Sequence, residues 1–387
     1  MEQELVLLEE KPQPAPETVG MKRTYSRAGL SVAALYGTIS ASGGIAVAVI
    51  CFVLAALLIV GVLPPIATER LLENPYSVLD YVRSLKGTGV IALLLLIFLL
   101  VQAAAWGIGY VIMRLILKKG TPIPKRNLSL GRFLLIVLMC FGVWGVGAVL
   151  GNLASFFGVE TQEMISTEQF GWEALPFLIY AVIGAPIVEE LTFRKALLDR
   201  LHDTHEGYAA VVSGLLFGLM HGNHRQFFLA FFLGLLFAMV YQRTGRIIYT
   251  MLLHGIINFT ATLPELLSLA GVDVSQFWDI AVGALIVAGL AVLLIKRKDP
   301  LLHAQPCAVP DANNAVYRNV GMRIVRIAAL VLIGAQGTLL VLLGMLEADS
   351  GRWLCLIEFI PMALVFLTVL LLPKFTKRYE KPEEEPV

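Results

Sequence analysis

Ten separate runs of apolar residues, each about as long as a membrane-crossing helix, constrain this chain more than any other feature. A helix needs about 20 apolar residues to cross the hydrocarbon core of a bilayer. The fifth and sixth runs are short, so one of them could be re-entrant. The pattern predicts an all-α fold, a multi-pass transmembrane helical bundle of about ten spans. The runs lie at 44–63, 89–112, 132–151, 172–188, 207–222, 226–242, 247–266, 277–295, 324–346 and 353–372.

The composition agrees with a membrane protein and argues against the soluble classes. Only 15% of the 387 residues are charged and 57% are hydrophobic, whereas a soluble domain has about 25% charged residues. A net charge of +1 gives no support for a nucleic-acid partner. The four cysteines stand far apart, which favours buried thiols over a disulfide framework or a metal site.

The apolar runs and the polar segments between them divide the chain into parts and suggest its orientation. Basic residues cluster after the second, eighth and tenth runs, whereas 152–171 contains three glutamates and no Lys or Arg. The positive-inside rule therefore predicts a multi-pass protein of the plasma membrane with both termini in the cytoplasm. The predicted parts are a disordered cytoplasmic tail at 1–40, three spans within 41–170, a central block at 171–266, three spans within 267–372 with a cytoplasmic linker at about 299–322, and a second cytoplasmic tail at 373–387.

Polar side chains within the central block are the candidate functional residues, because ionisable groups inside a membrane are costly and usually functional. Glu190 and Arg194 are four residues apart and can pair on one helix face, which leaves Glu189 directed elsewhere. His254 and Asn258 have the same spacing on another run, and His221 ends a third run.

The heights of these residues in a bundle can also be compared. If the chain reverses near 204–206, Glu189 and His221 lie at equal height in an antiparallel hairpin, roughly 24 Å from the turn at about 1.5 Å per residue. His254 follows the turn at 243–246 and can reach the same layer. We therefore expect a site inside the membrane that is reached from the cytoplasmic side.

A carboxylate and two histidines in a poorly hydrated pocket can activate water in two ways, and the sequence leaves both open. A buried glutamate can act as a general base near neutral pH. Alternatively, Glu189, His221 and His254 could hold zinc or another divalent metal with a water in the open position. Asn258 could donate a hydrogen bond to an oxyanion. Either arrangement indicates hydrolysis of an acyl bond, above all a peptide bond.

Two other classes of protein remain open from the residues alone. The same glutamates and histidines could form the relay of a proton-coupled membrane transporter. The chain could also be a catalytically silent immunity or scaffold protein, since a lone intramembrane histidine is often only a partner in a helix–helix hydrogen bond.

The three motifs in order are Glu189-Glu190-x-x-x-Arg194, Phe217-x-x-x-His221 and His254-x-x-x-Asn258. This ordered set resembles the CPBP family of CAAX proteases and bacteriocin-processing enzymes, also described as type II CAAX prenyl endopeptidase-like or Abi proteins. The resemblance covers about 180–262.

The resemblance implies an intramembrane protease in which Glu189 activates water and Glu190 and Arg194 complete the first motif. His221 and His254 would bind a metal or, in a metal-free mechanism, polarise the water and stabilise the oxyanion, and Asn258 would assist His254. The implied partners are the lipid bilayer and a membrane-associated peptide or protein substrate, with lipidated and bacteriocin-like substrates both within the family's range.

Overall fold

A computed structural model describes residues 89–117, 120, 122–156, 171–201, 206–221 and 224–302, together with Leu85 and isolated residues between 31 and 61. The spans predicted at 324–346 and 353–372, most of the linker at 299–322 and the tail at 373–387 lie outside these residues. Most of the tail at 1–40 and part of the span at 44–63 lie outside them too. Within the segment predicted as the first tail, Leu35 is fully buried, and its side chain lies against Gly109.

The described part of the chain contains seven helices of more than ten residues and no strand. Six of them are long and apolar enough to cross a membrane, which confirms the all-α, membrane-spanning class, whereas the total of ten spans stays a prediction. The seven helices are α1 (Val90–Leu117), α2 (Leu130–Phe156), α3 (Gly171–Leu201), α4 (Glu206–Met220), α5 (His224–Thr244), α6 (Ile247–Leu269) and α7 (Ser275–Ile295).

The shortest of these helices, α4, was predicted as a span at 207–222. It has 15 residues and is therefore roughly 22 Å long at about 1.5 Å per residue, less than the 30 Å or so of a hydrocarbon core. The chain turns at His221 and continues into α5. The length of α4 is therefore compatible with the re-entrant alternative, whereas α5 is long enough to cross a membrane.

Glycines allow the two helices of this hairpin to approach closely. A Cβ atom on Gly214 would lie 2.9 Å from both Leu235 N and Phe231 O, so only glycine fits there. In α5, 61% of the most apolar 18-residue stretch is buried, whereas the corresponding share in α7 is 6%. The α5 helix therefore lies at the centre of the bundle. The hairpin thus forms the inner layer, with α2, α3 and α6 packed against it and α7 packed on the outside of α2.

The two ends of the bundle differ in charge. One end, which we call the basic end, is formed where α1, α3, α5 and α7 finish and α2, α4 and α6 begin. The opposite end carries acidic residues, among them Asp273, whose carboxylate accepts a hydrogen bond from Ser275 N at 2.9 Å. This bond holds the pKa of the exposed Asp273 carboxyl below its usual value. The basic end contains Arg114, Lys125, Arg126, Arg132, Lys195, Arg200, Arg243, Arg246, Lys296, Arg297 and Lys298 with three acids, Asp199, Glu206 and Asp299.

Candidate active site

The helix that carries both glutamates, α3, departs from regular α-helical geometry on either side of them. Segments with π-helical hydrogen bonding occupy Tyr180–Gly184 and Leu191–Leu198, and the glutamates lie in the α-helical stretch Ala185–Glu190 between them. Short π-helical segments are frequent at functional sites. The widened turns set the directions in which Glu189 and Glu190 leave the helix.

Pro186 explains why this part of α3 offers backbone carbonyls to a neighbouring helix. Proline has no N–H group, so it cannot donate to Val182 O at α-helical spacing or to Ala181 O at π-helical spacing. The preceding N–H group, that of Ala185, donates to Tyr180 O. Ala181 O and Val182 O therefore lose an expected partner within the helix.

Helix α6 meets both of these carbonyls. Asn258 Nδ2 donates to Ala181 O at 2.8 Å. A Cβ atom on Gly255 would lie only 3.2 Å from Val182 O, so the glycine permits the close approach. These contacts place His254, which adjoins Gly255 and lies one turn before Asn258, against the two glutamates.

Glu190 and Arg194 form the ion pair that their spacing predicts, and both side chains are fully buried. Arg194 Nη1 lies 3.1 Å from Glu190 Oε1. The guanidinium also donates from Nη2 to Gly234 O at 3.1 Å, and its Cζ lies 4.5 Å from the ring centroid of Phe217. The charge of Arg194 is thus compensated by a carboxylate, a carbonyl and an aromatic face.

His254 links the two glutamates through its two ring nitrogens. Its Nδ1 lies 3.1 Å from Glu190 Oε1. Because a carboxylate paired with a guanidinium only accepts hydrogen bonds, Nδ1 is the donor, and Nε2 of the neutral ring then carries a lone pair. Nε2 faces Glu189 Oε2 at 3.8 Å.

The distance between Glu189 and His254 has a chemical meaning. It is too long for a direct hydrogen bond but suits two groups that contact one water molecule. Glu189 Oε2 is buried and has no hydrogen-bond partner, while 16% of the Glu189 side chain remains exposed. A carboxylate oxygen and an imidazole lone pair thus converge at a position that retains some access.

Phe217 connects His221 to the other site residues. The rings of His221 and His254 each lie edge-on to the Phe217 ring, with centroid distances of 5.0 and 5.7 Å. His221 Nδ1 lies 2.9 Å from Phe217 O, one turn back along α4. Both histidines therefore border one aromatic ring at the deep end of the hairpin.

The described residues do not contain a group of three or more His, Cys, Asp or Glu side chains arranged to hold a metal ion. Catalytic zinc sites take three protein ligands and leave one position for water. The donors paired most closely, Glu189 and His254, supply two ligands, and no third donor completes a set with them among the described residues. In this conformation the predicted set Glu189, His221 and His254 does not fit the ligand geometry of zinc.

Of the predicted site residues, the structure joins Glu189, Glu190, Arg194 and His254 directly. Asn258 contacts α3 at Ala181, about two turns before Glu189, and His221 borders the same Phe217 ring as His254. The sequence analysis missed three supporting residues. Gly234 and Phe237, on α5, contact the Arg194 guanidinium, and Thr250 places a hydroxyl beside Glu190. Thr250 lies four residues before His254 on the same helix face. This spacing was the one feature of the sequence that could have indicated that Thr250 belongs to the site.

Comparison with known proteins finds a similarity to one family over the segment that contains these site residues. Residues 171–260 match the family model described as type II CAAX prenyl endopeptidase Rce1-like. YdiL of Bacillus subtilis (strain 168), a candidate membrane peptidase, is 31% identical over 97 residues, which cover 24% of this chain and 39% of YdiL. MroQ of Staphylococcus aureus (strain USA300), described as a membrane-embedded CAAX protease, is 27% identical over 99 residues, or 24% of this chain and 40% of MroQ.

The match is confined to one segment of each protein. The chain spans about two fifths of the length of these relatives. No solved structure matches the chain significantly. The matched segment contains all six predicted site residues and the helices α3 to α6 that position them. Residues 171–260 are therefore similar to the family described as type II CAAX prenyl endopeptidase Rce1-like.

Proposed function

We propose that this membrane protein is an intramembrane endopeptidase that hydrolyses a peptide bond of a membrane-associated substrate. The observation that carries the proposal is the pairing of Glu189 Oε2 with His254 Nε2 at 3.8 Å inside the bundle. The names of the relatives support it, since one is a candidate membrane peptidase and the other a CAAX protease.

In the proposed reaction, Glu189 and His254 hold a water molecule between them, and Glu189 takes a proton as the water oxygen attacks the scissile carbonyl carbon. The proton then passes to the leaving amide nitrogen as the C–N bond breaks. Glu190, fixed by Arg194, keeps Nδ1 of His254 protonated and so leaves Nε2 free to accept from the water. His221 and Asn258 are the proposed hydrogen-bond donors to the oxyanion.

The surroundings of the reaction are proposed from the predicted topology. The catalytic core is assigned to 171–266, in a plasma-membrane protein with both termini in the cytoplasm. The helix that carries Glu189 ends at the basic end, which favours access from the cytoplasmic side under the positive-inside rule. The proposed substrates are membrane-anchored peptides or proteins, with lipidated and bacteriocin-like ones as the two classes to be tried first.

The proposal is tested by Glu189→Gln in cells that express the protein. Loss of a general base lowers the rate by about 10²- to 10⁴-fold, so an uncut membrane protein should accumulate and be visible by mass spectrometry of terminal peptides. The variant should stay folded, because Glu189 Oε2 makes no hydrogen bond in the structure. Asp279→Asn, an exposed carboxylate on α7, makes the same chemical change away from the site and should leave cleavage unchanged.

The same variants separate the other two classes. A proton-coupled transporter would lose solute uptake with Glu189→Gln and would show no change in any substrate's termini. A silent scaffold or immunity protein would tolerate both Glu189→Gln and His221→Ala without a phenotype. Either result would contradict the endopeptidase.

The zinc alternative is tested separately on the purified protein. Metal content is measured on active protein and on the His221→Ala and His254→Ala variants. Stoichiometric metal that is lost in both variants would support a Glu189, His221 and His254 site in a conformation other than this one. Active protein without metal would support the glutamate mechanism.

A further inference from the structure

The basic end of the bundle includes a loop that is fixed tightly to the neighbouring helices. Between α1 and α2, Arg126 N donates to Thr244 O at 2.7 Å and Leu128 N donates to Tyr249 Oη at 3.0 Å. Gly245 has a φ of +58°, and a Cβ atom there would lie 2.4 Å from Pro124 O. The loop is therefore anchored onto the turn between α5 and α6, although it has no regular secondary structure.

The three acids that the structure describes at this end are each paired with a base. Asp199 lies 2.7 Å from Lys195 Nζ. Asp299 pairs with Arg132, which joins the segment after α7 to the start of α2, and Glu206 pairs with Arg243. None of these three ion pairs involves Lys125, Arg126, Arg246 or the cations at 296–298.

These six cations form a surface that we call the basic rim. All but Arg246 are exposed, and Nε of Arg246 is buried without a hydrogen-bond partner. Two contacts bring the segments that carry these cations together. Arg126 adjoins Thr244 at the end of α5, and Arg132 at the start of α2 pairs with Asp299, which directly follows the cations after α7. The basic rim consists of Lys125, Arg126, Arg246, Lys296, Arg297 and Lys298.

Exposed apolar side chains lie next to the basic rim on the same helices. Leu294 and Ile295 are 72% and 76% exposed and directly precede Lys296. Leu130 is 73% exposed at the start of α2, and Ile248 is 50% exposed two residues after Arg246. Cations followed by exposed apolar residues form a surface that matches an anionic headgroup joined to acyl chains.

We propose that the basic rim binds phospholipids with an anionic headgroup in the leaflet at this end of the bundle. The cations contact the phosphate and any further anionic group of the headgroup. The exposed leucines and isoleucines contact the acyl chains. The fixed loop holds Lys125 and Arg126 in place, so little ordering is needed on binding. Glu189 and His254 have no part in this surface.

The test uses the full chain in detergent, with dioleoyl phosphatidylglycerol and dioleoyl phosphatidylcholine added in native mass spectrometry. Phosphatidylglycerol should bind about tenfold or more tightly than phosphatidylcholine, and the difference should shrink at high salt. Neutralisation of the α7 end in the triple variant Lys296→Gln, Arg297→Gln, Lys298→Gln should remove most of the preference. Equal binding of the two lipids by the wild-type protein would overturn the proposal.

Matched variants and probes separate charge from other causes. The swap Lys296→Arg, Arg297→Lys, Lys298→Arg keeps the charge and should keep the preference; its loss would overturn the proposal. Soluble glycerol phosphate should not displace the lipid at equal concentration, because it lacks acyl chains. An acidic peptide that displaces phosphatidylglycerol at equal concentration would overturn the assignment in favour of a protein partner. Unchanged helicity of the variants confirms that the fold is intact.

Discussion

The guanidinium of Arg194 is fully buried. Its counter-ion Glu190 is equally buried, and removing one member of a buried pair costs about 3–5 kcal/mol because the other charge stays in a dry environment. We expect Arg194→Met to lower the free energy of unfolding in detergent by about this amount. The double variant Glu190→Gln, Arg194→Met should be more stable than Arg194→Met alone. Additive effects in this double-mutant cycle would contradict a coupled pair.

Asn258 acts on the backbone of α3, and Pro186 makes that contact necessary. Asn258→Leu should destabilise the protein by about 1–2 kcal/mol, because Ala181 O then lacks its donor. Pro186→Ala restores a backbone N–H beside the same carbonyl, so Asn258→Leu should cost less in that background. The comparison of the four proteins by thermal unfolding measures this coupling, and an equal cost in both backgrounds would show that the two residues act independently.

Local spacing predicted some of these residue contacts and could not predict others. Glu190 and Arg194 pair within one helix, and their separation of four residues was sufficient. The contact of Asn258 with Ala181 depends on how α6 sits against α3, which spacing within one helix does not specify. The position of Glu189 against Nε2 of His254 also needed the packing of two helices, so the sequence alone could only suggest their convergence.

At the scale of the helices, α2 and α7 pack backbone to backbone at a pair of glycines. A Cβ atom on Gly289 would lie 2.1 Å from Leu138 O and 2.3 Å from Gly142 N. We therefore expect Gly289→Ala to force the two helices apart and to lower the temperature of unfolding. Gly283→Ala, on the same helix with nothing within 4 Å of its Cβ position, is the control and should be neutral or stabilising by up to about 1 kcal/mol. Equal changes in the unfolding temperature for the two substitutions would show that the close contact at Gly289 does not contribute to stability.

The positions of the helices followed from apolar runs, whereas their ends and irregularities did not. The prediction at 89–112 corresponds to Val90–Leu117, and that at 277–295 corresponds to Ser275–Ile295. The apolar run at 172–188 covers only part of α3, which continues to Leu201 and includes the buried ion pair of Arg194 with Glu190. The π-helical segments leave no mark in the spacing of apolar residues, so no periodicity could have revealed them.

At the scale of the whole molecule, charge and apolar surface have separate distributions. Exposed apolar residues cover the outer faces of α1 and α7, and the paired charges lie in the centre or at the basic end. The bundle thus keeps its ionised groups away from lipid except where lipid headgroups are expected. This division explains how a chain with a nearly balanced net charge can still have a strongly polarised end.

The orientation of the bundle follows from this polarity and can be measured directly. The positive-inside rule predicts that the basic end faces the cytoplasm and that Asp273 lies on the opposite side of the membrane. In a background with the four native cysteines replaced, Asp273→Cys should react with a membrane-impermeant maleimide in intact cells, whereas Lys298→Cys should react only after permeabilisation. Both positions are exposed, so a difference in reactivity reports sidedness and not burial. The reverse pattern would place the basic end outside and would contradict both the cytoplasmic termini and access to Glu189 from the cytoplasmic side.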